Sequence, residues 1–175
     1  MGQGRVWLYR LTFLVLAVLV LFVSLLPFGG GADAIPGPEL TVCLIFAWVL
    51  RRPDYVPIWL IVPVLLLDDA LLMRPLGLWT LIILLLSEYL RRRVDHAEAR
   101  SFWTEAGRVT GCIIAAFLAN HVALVLLLAE PPPILGQALH ALATIVFYPA
   151  TALFSAMIGV RRLAPGELDS LGTRV

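Results

Sequence analysis

Six apolar runs, separated by short polar or glycine- and proline-containing stretches, dominate the chain. They predict membrane-spanning helices over 11–28, 36–52, 56–73, 76–90, 109–128 and 134–158. A helical span needs about 20 apolar residues and satisfies its backbone hydrogen bonds internally. The second run is short and crosses only if its helix includes the flanking Glu39 and Arg51. The pattern predicts an all-α, polytopic six-helix membrane bundle, a single integral membrane domain over 1–175.

The composition agrees with a membrane protein. Of the 175 residues, 61% are hydrophobic and 14% are charged, whereas a soluble domain is about 45–50% apolar and about 25% charged. This excludes a disordered tail, a secreted disulfide scaffold and a basic protein that binds nucleic acid. Cys43 and Cys112 lie in apolar runs, and no CxxC or Cys/His spacing occurs. We therefore expect no metal site and no cofactor.

The distribution of arginine predicts the orientation. All 13 basic residues are Arg, and 12 of them fall in the N-terminus, the 51–55 turn, the 91–108 loop and the C-terminal tail. The alternate set of loops contains only Arg74. Cytoplasmic loops of membrane proteins are enriched in Arg and Lys, so both termini are predicted to be cytoplasmic. The even number of spans agrees.

Two segments outside the spans allow alternative interpretations. Ala32-Asp33-Ala34 resembles a signal-peptide cleavage site. The preceding apolar run exceeds the usual 7–15 residues and further spans follow, which favours a retained first helix. The arginine-rich 91–108 loop resembles a short interfacial helix. Attraction to anionic lipid explains it most simply, and contact with a cytoplasmic partner is the alternative.

Asp68 and Asp69 are acidic residues inside the third span. Charged residues within a span mark either a functional site or a pairing site. Consecutive residues point about 100° apart on a helix, so both carboxylates face one small site only if the helix breaks. Arg74 follows closely and is a partner for either. We favour structural pairing or contact with a partner protein over chemistry.

Helices four, five and six each carry a further polar or small-residue pattern. Glu88 precedes Arg91 and Arg92 at spacings that favour local ion pairs. Helix six has one polar face, which should point into the bundle or towards another membrane protein, and Pro149 is expected to kink it. Helix five has small residues four apart, which permit close helix packing, and an amide near its middle suited to an interhelical hydrogen bond. The polar face comprises Gln137, His140, Thr144, Tyr148, Thr151 and Ser155, and helix five contributes Gly107, Gly111, Ala115, Ala119 and Asn120.

The sequence lacks the motifs of the common enzyme classes. It contains no G-x-S-x-G nucleophile elbow, no phosphate-binding glycine loop and no H-E-x-x-H motif. The Asp pair lacks the second Asp-rich motif of intramembrane prenyl transferases, and the G-x-G-D pattern of intramembrane aspartyl proteases is absent. We assign no catalytic residue and predict that the protein is not an enzyme.

Three segments resemble one known family. They are Leu50-Arg-Arg-Pro-Asp-Tyr-Val-Pro57, the stretch from Asp69 through Arg74-Pro75-Leu76-Gly77 to Ser87-Glu-Tyr-Leu-Arg-Arg-Arg93, and Gly159-Val-Arg-Arg-Leu-Ala-Pro-Gly-Glu-Leu-Asp169. With six spans in this order, nearly the whole chain resembles the rod shape-determining MreD family in its alphaproteobacterial form. Pro75 and Gly77 match its turn. Many relatives have a glycine shortly before that turn, where this chain has Leu72, Met73 and Arg74.

The resemblance implies a non-enzymatic scaffold of the bacterial cell-elongation (rod) complex, which determines cell shape and guides lateral peptidoglycan synthesis. Its implied partners are MreC, MreB, RodA and a penicillin-binding transpeptidase, within the lipid bilayer of the inner (cytoplasmic) membrane. The family also resembles the six-helix substrate-binding components of energy-coupling-factor transporters, which is an analogy of fold and not of function.

A small-molecule-binding membrane component of a transporter is the alternative. It requires a solvent-accessible pocket lined by Asp68, Glu88, Asn120 and His140. Few polar groups converge in the sequence, and no pair of broken helices is evident. These features favour the scaffold.

Overall fold

The computed structural model of the chain describes residues 3–26, 37–93, 102–129 and 131–160. These ranges form helices and connecting turns and contain no β-strand, which confirms the all-α class. The helices are α1 (Gln3–Leu25), α2 (Leu40–Arg51), α3 (Ile58–Leu71), α4 (Leu78–Arg92), α5 (Phe102–Leu126) and α6 (Ile134–Met157), and a 3₁₀ turn spans Pro53–Tyr55.

Two helices begin earlier than their apolar runs predict. α1 begins at Gln3 instead of residue 11, and α5 begins at Phe102 instead of residue 109. Hydropathy marks the part of a helix that is apolar, whereas a helix continues through charged residues as long as its backbone hydrogen bonds continue. The predicted interfacial helix over 91–108 is therefore wrong at both described ends, because 91–92 belong to α4 and 102–108 to α5. Residues 94–101, the Ala32-Asp33-Ala34 motif and the tail beyond Val160 lie outside the described residues.

Three helices are long and apolar enough to cross a membrane: Gly4–Leu25, Trp103–Leu126 and Ile134–Met157. By length and composition, these helices indicate a membrane protein. The other three are shorter, and α2 has only 12 residues, or about 18 Å at 1.5 Å per residue. That length is well below the roughly 30 Å hydrocarbon core of a bilayer.

The short helix α2 lies at the centre of the bundle. Every residue from Thr41 to Val49 is buried, and α2 packs against α1, α4, α6 and the 3₁₀ turn. Trp48, Phe46 and Ile45 are among the largest fully buried side chains. Because protein surrounds this helix, it is apolar on all sides, as expected for a buried core helix.

Polar contacts place the helix ends into two groups. Arg74, between α3 and α4, meets Glu39 at the start of α2. At the opposite end of α2, Arg51 lies 3.4 Å from Glu105 near the start of α5. We call these the Arg74 end and the Arg51 end of the bundle. Successive helices run in opposite directions between them.

The outer surface of the bundle is strongly apolar. α1 buries Phe13, Ala17 and Leu21 against its neighbours and exposes much of the rest of its surface. Its exposed apolar side chains include Trp7, Leu8, Leu11, Val15, Leu19 and Phe22. A soluble monomer rarely exposes a large contiguous apolar patch, and such a patch typically meets a membrane or another protein.

Candidate functional site

Arg74 is the centre of a buried polar cluster at the Arg74 end. Its guanidinium pairs with Glu39, lies 3.8 Å from Asp68 Oδ2 and stacks 5.3 Å from the Trp79 ring centroid. Burial opposes its charge, but Glu39, Asp68 and Asp69 outweigh burial, so the pKa of Arg74 lies above its ordinary value. One arginine thus links the start of α2, the end of α3 and the start of α4.

Asp69 is fully buried and has a different role from Asp68. Its Oδ2 accepts hydrogen bonds from the Gly77 backbone N–H at 2.9 Å, the Thr80 backbone N–H at 3.3 Å and the Thr80 hydroxyl at 2.8 Å. Gly77, the N-cap of α4, has no side chain to cap this helix and adopts a left-handed backbone conformation. Asp69 therefore caps α4 from α3 and satisfies N–H groups that a helix start leaves open.

The two adjacent carboxylates turn to different partners, Arg74 for Asp68 and α4 for Asp69. The 100° offset of neighbouring helical residues accounts for this divergence without a break in α3. Pro75 and Gly77 form the turn between α3 and α4, where the Leu78 backbone N–H donates to the Pro75 carbonyl at 3.2 Å. The turn positions Arg74 and the Asp69 cap together.

A polar cavity of about 360 Å³ opens beside this cluster. His140 contributes to its wall, with Nε2 3.4 Å from Glu39 Oε1 and its ring 5.1 Å from that of Phe117. Trp79 also belongs to the wall, and its indole Nε1 is buried without a hydrogen-bond partner in the described part of the chain. The wall is formed by Glu39, Arg74, Trp79, Phe117, Asn120, Pro132, Pro133, Gly136, Gln137 and His140.

The interhelical hydrogen bond expected of Asn120 is made one residue later. His121 Nδ1 lies 2.9 Å from Gln137 Oε1 and links α5 to α6. Asn120 is half-buried in the cavity wall. The structure thus brings Asn120, Gln137 and His140 together with Arg74.

A second buried cluster lies towards the Arg51 end. Glu105 Oε1 accepts a 2.6 Å hydrogen bond from the Tyr148 hydroxyl and lies 3.4 Å from Arg51 Nη2. Trp48 Nε1 donates to Ser155 Oγ at 3.1 Å. Tyr148 and Ser155 belong to the polar face of α6, which therefore points into the bundle at these positions.

Arginine side chains also bind backbone carbonyl groups near the 3₁₀ turn. Arg91 donates to the carbonyls of Pro53 at 3.0 Å and Val56 at 2.7 Å, and Arg10 donates to that of Asp54 at 3.2 Å. These bonds hold α1 and α4 to the connection between α2 and α3.

Glu88 forms the local ion pairs that its spacing favours. It lies 3.4 Å from Arg91 Nε and 3.1 Å from Arg92 Nε. It is at the opposite end of α4 from the cavity, so the structure does not bring it together with Asp68, Asn120 and His140. The pocket that the transporter alternative requires is therefore wrong in Glu88, and Asp68 is also not among the residues that form the cavity wall.

The small residues of α5 do not pack the bundle internally. Gly107, Gly111 and Ala115 are exposed, and a Cβ added at either glycine meets no atom within 4 Å. Instead, α5 buries its opposite side through Val109, Cys112, Ile113 and Ala116. The prediction of helix packing through Gly107, Gly111 and Ala115 is therefore wrong for contacts within the described chain, because large apolar side chains bury more surface here than small ones.

Four charged or hydroxyl-bearing residues of these clusters are absent from the sequence-based candidates. Glu39, Arg51 and Glu105 were interpreted as flanking or loop charges, and Thr80 as part of an apolar run. A charge directly beside a short apolar run was the available signal, since it is buried when the run is a central helix. The pairing of Arg51 with Glu105, 54 positions apart, depends on the tertiary fold.

The described residues contain no group of three His, Cys, Asp or Glu side chains that could hold a metal ion. The two polar clusters consist of ion pairs and hydrogen bonds that join helices. Such an arrangement stabilises a particular packing of helices, and the open cavity at the Arg74 end adds a place where a polar group could bind.

No protein-family model, curated protein or solved structure matches this chain.

Proposed function

We propose that this protein is a non-enzymatic membrane scaffold with six spans and cytoplasmic termini, which acts in the rod complex as the MreD family does. The observation that carries the proposal is the outward-facing ridge of Gly107, Gly111 and Ala115 on α5, against which none of the described residues packs. Small residues let the backbone of another helix approach closely. A ridge of small residues that no described residue packs against fits a protein that binds other membrane proteins.

The exposed apolar face of α1 supports the same proposal. The resemblance of the three sequence segments to MreD supplies the expected partners: MreC, RodA, the penicillin-binding transpeptidase and MreB. Six spans require α2 to cross although it is short. Its burial within the bundle supports this, because a helix shielded by protein need not match the lipid thickness as a lipid-facing helix must.

The test is recovery of these partners with the tagged chain from its native membrane in a mild detergent. We expect Gly111→Leu to reduce their recovery roughly tenfold, the effect of about 1.4 kcal/mol, because the leucine side chain holds the partner helix away. Gly111→Ala is the matched control, since alanine keeps the ridge small. Equal recovery with both variants contradicts the assigned surface, and recovery of none of the named partners with the wild type contradicts the function.

A small-molecule-binding membrane component is the second candidate, and the cavity beside Arg74 favours it. Asn120 and His140 lie in its wall, as that candidate requires. A stoichiometric soluble metabolite retained through purification, without the rod-complex proteins, would support this candidate over the scaffold.

A further inference from the structure

An apolar groove of about 400 Å³ lies between α5 and α6. Its walls include Ile114, Phe117 and Leu118 of α5 and Ala138, Ala141 and Ile145 of α6. Leu118 and Ala138 are exposed, so the groove opens at the outer surface of the bundle. A chain of methylene groups fits such walls.

The groove adjoins the polar cavity. Phe117 and Gln137 belong to the walls of both. Along α6 the groove reaches from Ile134, at the Arg74 end, to Ile145. Eleven helical steps correspond to about 16 Å, which is close to half of the roughly 30 Å hydrocarbon core. The groove is therefore about as long as an acyl chain in one leaflet, and the cavity lies beside it towards the Arg74 end.

The charges of the cavity select among headgroups. Arg74 and Glu39 lie side by side in the wall, and Asp68 lies behind Arg74. Two carboxylates near one guanidinium disfavour a headgroup that carries only negative charge, since like charges placed together are costly. A headgroup with both a phosphate and an ammonium matches the pair, because arginine binds phosphate through charge-assisted hydrogen bonds and a carboxylate accepts them from ammonium.

Neutral donors in the wall fit the same headgroup. The side-chain amides of Asn120 and Gln137 are donors in this wall. Phosphate and ester oxygens are acceptors for these groups.

We propose that the cavity and the groove form one binding site for a single phosphatidylethanolamine molecule. Its phosphate lies against Arg74, its ammonium group against Glu39, and one acyl chain in the groove between α5 and α6. This inference does not depend on the scaffold proposal, because lipid binding to the purified chain is measured without any partner protein.

Native mass spectrometry of the purified full-length chain in detergent tests this site. Phosphatidylethanolamine and phosphatidylglycerol with identical acyl chains are titrated separately. We expect one bound phosphatidylethanolamine per chain, with an affinity about tenfold above that for phosphatidylglycerol. Far-UV circular dichroism of each variant verifies that the helices are intact.

Two variants separate the tail from the head. Ala138→Phe fills the groove without altering the charged cavity, and Asn120→Leu removes a donor from the cavity wall. Each is expected to weaken phosphatidylethanolamine binding about tenfold. Ala150→Phe is the matched control, because Ala150 is an exposed alanine of α6 outside the groove, and its affinity should equal that of the wild type.

Three results would overturn the proposal. Equal binding by all variants would identify lipid adsorbed on the general apolar surface. Preference for phosphatidylglycerol would exclude the headgroup assignment. Binding of soluble glycerophosphoethanolamine as tightly as the lipid, and unaffected by Ala138→Phe, would identify a small-molecule site without a tail.

Discussion

Met73 and Gly159 both adopt the left-handed backbone conformation just after a helix, a position that suits glycine but not methionine. Met73 has φ 51° after α3, and Gly159 has φ 94° after α6. In both turns a backbone N–H donates to the carbonyl five residues earlier, from Arg74 to Asp69 at 3.0 Å and from Val160 to Ser155 at 3.1 Å. This helix ending favours glycine, so glycine suits the position of Gly159 and methionine is strained at position 73.

Exchanging the side chains at these two positions should shift stability in opposite directions. Met73→Gly is expected to stabilise the protein by about 1 kcal/mol, because a left-handed non-glycine residue costs roughly 1–2 kcal/mol and the 95% exposed Met73 side chain loses no packing. Gly159→Ala is expected to destabilise it by about 1–3 kcal/mol, since its Cβ would lie 2.9 Å from Tyr9 Oη.

Reversible unfolding in SDS, followed by far-UV circular dichroism, measures both changes. Met73→Ala is the control for loss of the methionine side chain, and it should leave the free energy of unfolding within about 0.5 kcal/mol of the wild type. Destabilisation by Met73→Gly would refute the assigned backbone conformation.

At the scale of helices, buried polar groups join α2, α5 and α6. Arg51, Glu105 and Tyr148 are all buried. Hydrophobic packing alone permits helices to slide or rotate past one another, whereas a buried ion pair is satisfied in one arrangement. The cluster therefore orients these helices more than it adds net stability.

A double-mutant cycle on Arg51 and Glu105 tests this role. Glu105→Leu is expected to destabilise the protein by about 3–5 kcal/mol, because it breaks the buried ion pair of Arg51. Adding Arg51→Met should recover part of that loss, because the double variant no longer buries the Arg51 guanidinium without its carboxylate partner. The free energies of unfolding of the two single variants and the double variant give the coupling.

Tyr148→Phe is a milder variant of the same cluster, with which the loss of stability in Glu105→Leu is compared. It removes one hydrogen bond to Glu105, and we expect a loss of about 1–2 kcal/mol. If the double variant loses as much stability as the sum of its single variants, the ion pair does not couple α2 to α5.

For the whole molecule, the two groups of helix ends define a testable orientation. The described Arg51 end contains Arg10, Arg51, Arg52, Arg91 and Arg92, whereas Arg74 is at the other end and is paired with Glu39. The positive-inside rule then predicts that the Arg51 end faces the cytoplasm. Arginine is therefore unequally distributed between the two ends of the folded bundle, as it is between the loops of the sequence.

Labelling of introduced cysteines by a membrane-impermeant maleimide tests that orientation. In a variant without Cys43 and Cys112, Leu76→Cys at the Arg74 end should react in intact spheroplasts. Arg93→Cys at the Arg51 end should react only after lysis. Both positions are exposed. The reverse pattern would contradict the predicted orientation, and reaction of both in intact spheroplasts would contradict a bundle whose two ends are on opposite sides of the membrane.

The sequence by itself determined what depends on local pattern. Apolar runs predicted the number of helices and the all-α class. The length and hydropathy of a run can be read without knowing which elements pack against it. The spacing of Glu88 with Arg91 and Arg92 predicted ion pairs that form within one helix. The Pro75–Gly77 turn was also local, since glycine adopts the left-handed conformation of this turn without steric cost.

Only the tertiary structure decided which charged residues are buried together and which helix faces remain free. Arg51 and Glu105 resemble ordinary flanking charges until α2 is placed at the centre of the bundle. The α5 ridge, equally visible in the sequence, points outward because Val109, Cys112, Ile113 and Ala116 bury the other side. Pairings between distant residues depend on how helices pack. The spacing of apolar and polar residues along one helix does not show which other helix packs against it.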